Sequence, residues 1–116
     1  HRLGMAWDAK GDIDKAKAEL LQSLSIRPNS PEVLNNLGTV HKTLGDKRNA
    51  LASFEKAVLL RPNYAIARYN LAEMLEPTDR KRAITEYETY VALVDGIPEE
   101  ADRILLAKER VKALKR

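Results

Sequence analysis

The chain has 116 residues, a formal net charge of +3 and no cysteine. With 44% hydrophobic and 32% charged residues, it is neither an acidic disordered tail nor a membrane protein, and its length suggests one domain. The small positive charge does not call for a nucleic-acid partner, and the lack of cysteine excludes disulfides, thiolate metal sites and a cysteine nucleophile.

No apolar run approaches the roughly 18 residues that a membrane span needs, so we expect a soluble protein without one. The N-terminus shows no secretory signal pattern. Because the first residue is His1 rather than methionine, we expect a fragment or a processed product. The composition leaves the cytoplasm and the periplasm open as compartments, with the cytoplasm favoured.

The sequence repeats itself with a period of 34 residues. Arg27-Pro28-Asn29 recurs as Arg61-Pro62-Asn63. The same offset relates Leu3-Gly4 to Leu37-Gly38, Gly11-Asp12 to Gly45-Asp46, and Ala16 to Ala50. A period of this length is typical of repeat proteins whose units are helix pairs that stack on their neighbours.

The first repeat, about residues 1–30, is truncated at its N-terminus. Only residues 1–9 remain of its first helix. We expect a glycine turn at Gly11 and a second helix from about residue 13 to residue 26.

The second repeat, about residues 31–64, carries clear boundary signals. Pro31 suits the first turn of a helix, and Ser30 before it suits the N-cap position. Gly45 is expected to end this helix and Asp46 to cap the next one. Both helices have an apolar stripe with a 3.6-residue period, which neither can bury alone.

The third repeat, about residues 65–96, begins with a predicted helix over residues 65–75. Thr78 or Asp79 is expected to cap its second helix. The last segment, about residues 98–116, has acidic residues at its start and basic residues at its end, which suits a helix dipole. We predict that it forms a capping helix.

The second repeat resembles a tetratricopeptide repeat. The family pattern is present as Leu37-Gly38, Gly45, Ala50, Phe54, Ala57 and Pro62. The third repeat matches less well, because Arg68 stands where the family usually has a large apolar residue. The resemblance implies an all-α fold in a single domain over residues 1–116. That fold is an α-solenoid, wound as a right-handed superhelix, of about two and a half to three helix-turn-helix repeats plus the capping helix.

Signatures of catalysis are missing from the sequence. It contains no nucleophile elbow, phosphate-binding loop or zinc-protease motif. His41 falls on the apolar stripe of the second repeat, so we expect a packed core histidine rather than a general base. We therefore predict that the protein is not an enzyme and uses no cofactor or metal.

In the resembled family, the first helices of the repeats line a concave face that binds extended peptides or partner helices. The residues at these positions are Asn35, Asn36, Thr39, Lys42, Thr43, Tyr69, Asn70, Glu73 and Glu76, and Arg2, Met5 and Asp8 extend the set from the first repeat. The resemblance thus implies a non-catalytic scaffold or adaptor module that binds a protein or peptide partner.

Asn36 and Asn70 lie 34 residues apart, and an amide can pair with a peptide backbone whatever its sequence. The pair is similar to the asparagine ladder of O-linked N-acetylglucosamine transferases. The alternative is local hydrogen bonding between helices. A clamp for chaperone tails is not expected, because the family's basic positions hold His1, Ile66 and Asn70.

Three alternatives stay open. Apolar Leu3 and Trp7 at the incomplete N-terminal edge favour self-association into a homo-oligomer. The missing start of the first repeat is compatible with a recruiting segment of a larger protein or enzyme. The five basic residues in the range 108–116 are expected to form a solvated face, with contact to an acidic partner as the alternative.

Overall fold

A computed structural model describes the backbone of residues 2–116 and the side chains of residues 11–116. Over this range the chain forms six α-helices and one short 3₁₀ helix, without a strand. The predicted all-α class is therefore confirmed. The chain divides into two compact units, His1–Leu60 and Arg61–Arg116, called the N-terminal and C-terminal units below.

The N-terminal unit contains α1 (Arg2–Ile26), α2 (Pro31–Thr43) and α3 (Lys47–Leu60). The boundary of α2 is the predicted one, since Ser30 Oγ accepts a hydrogen bond from the Val33 N–H at 3.3 Å. This bond satisfies one of the backbone donors that a helix start leaves without a partner.

The turn between α2 and α3 also forms as predicted. Gly45 has φ = +82°, a left-handed conformation that glycine adopts without steric cost. Asp46 then caps α3 by accepting a hydrogen bond from the Asn49 N–H at 3.3 Å. The two helices bury a shared apolar core that includes Leu34, Leu37, Phe54, Ala57 and Val58.

The first repeat differs from the prediction. Its two helices are one continuous helix, α1, which passes through Gly11. Gly11 is not among the glycines with positive φ, which are Gly45 and Gly96. Residues 2–26 contain no proline, and a glycine inside a helix costs only about 1 kcal/mol relative to alanine. The predicted turn at Gly11 was therefore wrong. The side chains of Leu3, Trp7, Arg2, Met5 and Asp8 lie outside the described residues.

The C-terminal unit contains α4 (Ala65–Leu75), α5 (Arg80–Val94), a 3₁₀ turn (Pro98–Glu100) and α6 (Ala101–Leu114). Of the two predicted caps for α5, Asp79 is the one that forms, with its carboxylate accepting from the Arg82 N–H at 3.1 Å. Tyr87 and Tyr90 are the largest side chains of its core, and both are almost fully buried.

Within the described residues, no helix combines the length and the apolar character that a bilayer crossing requires.

Candidate functional site

An open groove runs between α1 and α2 in the N-terminal unit. Its volume is about 460 Å³. The residues that line it are Ala16, Glu19, Leu20 and Ser23 from α1, and Asn36, Thr39 and Val40 from α2. Two of the residues predicted for partner recognition, Asn36 and Thr39, thus lie in this groove.

The polar groups of α2 differ in how far they are already engaged. The Thr39 hydroxyl donates to the Asn35 carbonyl at 3.2 Å, and the Thr43 hydroxyl donates to the Thr39 carbonyl at 3.0 Å. Each hydroxyl oxygen keeps its acceptor capacity after donating. Asn36 and Lys42 are exposed. The exposed side of α2 therefore offers an amide, a cation and hydroxyl acceptors.

Asn35 does not belong to the exposed set for which it was predicted. Its side chain is only 6% exposed. Asn35 lies three residues before Gly38, and residues at that spacing share one side of a helix. Gly38 itself is buried against the Phe54 ring of α3. The expectation that Asn35 lies on the exposed face was wrong, because its position turns it toward the core side of α2.

The other predicted recognition residues lie on α4 of the C-terminal unit. Tyr69 packs edge to face against Tyr87 and Tyr90, with ring centroids 5.5 Å and 5.2 Å apart. The Arg103 guanidinium of α6 lies 5.7 Å from the Tyr69 ring centroid. Burial raises the pKa of the Tyr69 hydroxyl, with a further contribution from the charge of Glu73. Tyr69 is therefore largely occupied by contacts inside its own unit.

Glu76, at the end of α4, is also engaged. Its carboxylate accepts hydrogen bonds from the Tyr87 hydroxyl and from Arg110 of α6, whose Nε lies 3.1 Å away. The Arg110 hydrogen bond lowers the pKa of the Glu76 carboxyl, with a smaller effect from Tyr87. Asn70 and Glu73, between these two contact points, are half-buried.

Sequence reasoning missed the role of α6. Arg103 and Arg110 belong to a helix that was expected to present a solvated basic face, yet both contact residues of α4. The only signal in the sequence was the acidic character of Glu76, and it does not identify a partner 34 residues away. The predicted contact set on α4 is thus partly covered by side chains of α6.

A second groove, of about 550 Å³, lies beside α6. Its lining residues are Gly96, Ile97, Pro98, Ala101, Asp102, Ile104, Leu105 and Lys108. It is mainly apolar, and none of the predicted recognition residues lines it. The α1–α2 groove is therefore the stronger candidate site.

His41 is a core histidine, as predicted. It is 6% exposed, and its Nδ1 lies 3.8 Å from the Asp46 carboxylate. Nδ1 has no hydrogen-bond partner among the described residues. Burial lowers the pKa of the imidazole, and the charge of Asp46 partly offsets this effect.

Comparison with known proteins gives both relatives and structural neighbours. The peroxisomal targeting signal receptor of Saccharomyces cerevisiae is 31% identical over 70 residues, which cover 60% of this chain and 11% of that protein. The chain thus spans about a tenth of that relative's length.

Two solved structures share the fold. The Yersinia enterocolitica type III secretion chaperone SycD, in complex with a peptide of the translocator YopD, superposes with a TM-score of 0.82 at 15% identity, covering 98% of this chain and 88% of that one. The tetratricopeptide domain of Sgt2 from Aspergillus fumigatus gives a TM-score of 0.75 at 26% identity, covering 99% and 74%.

The family model for the tetratricopeptide repeat matches residues 1–30 and 31–64, which is more than half of the chain. The helix pair α2–α3 carries the pattern on which the resemblance was based, with Gly38 against Phe54. The chain therefore belongs to the tetratricopeptide-repeat family.

Proposed function

We propose that this chain is a non-catalytic protein-interaction module and that the α1–α2 groove holds a segment of a partner protein. The observation that carries the proposal is the mixed chemistry of the groove. Leu20 and Val40 supply apolar surface, while Asn36 and Thr39 supply hydrogen-bonding groups beside it.

The polar groups suit a polypeptide ligand. The Asn36 amide can donate to a backbone carbonyl and accept from a backbone N–H, and the Thr39 oxygen can accept. Because the groove is preformed on helices, the cost of ordering falls mainly on the ligand. Lys42 and Thr43 extend the same side of α2 as further contacts.

In the C-terminal unit, we propose Tyr69, Asn70 and Glu73 as a separate contact set on α4. The role of Tyr69 there is limited to its exposed part, since its ring packs against Tyr87, Tyr90 and Arg103. Asn70 and Glu73 are the more accessible chemistry of this set.

The relatives support an interaction role. The SycD structure holds a peptide of another protein, and the yeast relative is described as a receptor for a targeting signal. Because the chain spans only 11% of that relative, the proposal includes the role of a recruiting segment within a longer scaffold or adaptor protein. Self-association through Leu3 and Trp7 stays a prediction, since their side chains lie outside the described residues.

The test compares two double variants as immobilised bait. Asn36→Ala with Thr39→Ala removes the polar groups of the groove. Asn63→Ala with Thr85→Ala is the matched control, because both residues are exposed and the Thr85 hydroxyl bonds its own helix at 3.2 Å as Thr39 does. Circular dichroism must show equal helicity for the two variants.

Captured proteins are quantified by mass spectrometry, and the affinity of each purified candidate is then measured by calorimetry. We expect the groove variant to lose at least tenfold in affinity for the partner while the control binds like the wild type. Equal binding by both variants would contradict the proposed site.

A further inference from the structure

The α1 wall of the groove repeats a surface that is already covered elsewhere in the same unit. The 34-residue offset relates its four lining residues to four residues of α3: Ala16 to Ala50, Glu19 to Ser53, Leu20 to Phe54 and Ser23 to Ala57. All four α3 residues are buried in the α2–α3 pair. The groove wall thus corresponds, position by position, to a helix-packing surface.

The α2–α3 pair shows what such a surface accepts. Helix α2 places Gly38 against the Phe54 ring, so closely that a Cβ atom on residue 38 would lie 2.6 Å from a ring carbon. Small residues at such contacts let two helices approach to about 8–10 Å. The ligand of this surface on α3 is therefore a helix that presents a glycine.

On α1 the corresponding surface is open. Glu19 is exposed, and Ala16, Leu20 and Ser23 are only partly buried. Because α1 continues through Gly11, no segment of residues 11–116 takes the place on α1 that α2 takes on α3. The groove has the residues of a helix-packing surface and the room for a ligand.

We infer that the ligand of the α1–α2 groove is an amphipathic α-helix of a partner protein that presents glycine or alanine to Ala16 and Leu20. This inference rests on the proposed function and specifies its ligand. The groove continues the packing surfaces of the unit, because α2 supplies the opposite wall through Asn36 and Val40.

Charge adds a further requirement for the ligand. Glu19 stands where α3 has the neutral Ser53, and it is exposed on the groove wall. A lysine or arginine near the small residue of the ligand helix would pair with this carboxylate. The expected partner segment is thus apolar on one side, with a small residue at its centre and a basic residue beside it.

The chain itself supplies the probe. A labelled peptide of residues 30–45, blocked at both ends, reproduces α2 with Gly38 at its centre. We expect fluorescence anisotropy to show saturable binding of this peptide to the full chain. The same peptide with Gly38→Leu should bind at least tenfold more weakly, since leucine prevents the close approach.

Variants of the protein distinguish the groove from the α3 surface. Ala16→Phe fills the groove, whereas Ala52→Phe adds the same bulk at an exposed position of α3. The peptide should lose binding to the first variant and keep it with the second. Ser23→Trp is a second groove-filling variant, and thermal unfolding must show that each variant is folded.

A lysine scan of the peptide tests the charge requirement. At least one lysine position should strengthen binding to the wild type, and Glu19→Gln should abolish that gain. If no position does so, the basic residue of the proposed ligand is wrong.

Three results would overturn the inference of a helical partner. The first is equal binding of the two peptides, and the second is unchanged binding to Ala16→Phe. The third is a dimer in light scattering that Ala16→Phe disrupts, since a second copy would then fill the groove. If a captured partner depends on Asn36 but binds in an extended conformation, the inference fails while the proposed function stands.

Discussion

Arg68 of α4 donates a hydrogen bond from Nη1 to Oε1 of Glu86 on α5 at 2.8 Å, and Glu86 is only 5% exposed. Arg68 Nε also donates to the Pro62 carbonyl at 3.0 Å. Arg68 occupies the position at which the resembled family usually has a large apolar residue. The structure shows that this departure is matched by a second one, a buried carboxylate that pairs with the guanidinium.

Replacing Arg68 by methionine should therefore destabilise the chain strongly. Loss of one partner of a buried ion pair leaves the other charge uncompensated, which typically costs about 3–5 kcal/mol. We expect the lower part of this range, since Arg82 Nε remains 4.0 Å from Glu86. The measurement is urea denaturation followed by circular dichroism.

The double variant Arg68→Met with Glu86→Leu is the control for this pair. It should recover most of the lost stability, because an apolar pair of similar size removes the buried charge altogether. An exposed arginine, Arg80, should tolerate methionine with little change. The account is wrong if Arg68→Met and Arg80→Met have the same midpoint.

The contact of Gly38 with Phe54 predicts a coupled pair of substitutions. Gly38→Ala should lower the free energy of unfolding by about 1–3 kcal/mol, because an added methyl group must displace a buried ring. Phe54→Leu should relieve part of this cost, since Leu20 occupies the corresponding position of the first repeat. A double-mutant cycle measures the coupling, and strictly additive effects would contradict the contact.

Gly11 and Gly45 hold corresponding positions of the first two repeats, yet they should respond to alanine in opposite directions. Gly11 lies inside α1, and a Cβ atom added to it would meet no neighbouring atom within 4 Å, so Gly11→Ala should stabilise the chain by roughly 0.5–1 kcal/mol. Gly45 has φ = +82°, and alanine there should cost about 1–2 kcal/mol. Thermal melts of the two variants would expose a turn at Gly11 if both substitutions destabilise.

His41 predicts a loss of stability on mild acidification. Because burial lowers its pKa, the folded chain binds the proton less readily than the unfolded chain, whose imidazole titrates near about pH 6.5. The free energy of unfolding should thus fall as the pH drops below about 6.5. Asp46, whose pKa is lowered mainly by its hydrogen bond to Asn49, contributes only at more acidic pH.

His41→Leu removes the titrating group from the core and serves as the comparison. Its free energy of unfolding should change less than that of the wild type between about pH 7 and about pH 5.5. Guanidinium denaturation at several pH values provides the curves. Parallel curves for the two proteins would show that His41 makes no contribution to the pH dependence.

The sequence alone determined the helix boundaries around α2, α3 and α5. Pro31, Ser30, Gly45, Asp46 and Asp79 act within one turn of their own position, so their effect needs no knowledge of distant residues. Gly11 carried the same signal as Gly45, but the structure extends α1 through it. A glycine permits a turn without requiring one.

The candidate site was predictable in part, because the side of α2 that carries Asn36 and Thr39 follows from helical spacing. Only the tertiary structure decided that Asn35 is buried, that Tyr69 packs against Tyr87 and Tyr90, and that Arg68 pairs with Glu86. It also added the α1 wall of the groove. These features depend on which side chains meet across packed helices, and such meetings are set by helix packing rather than by any signal within one helical turn.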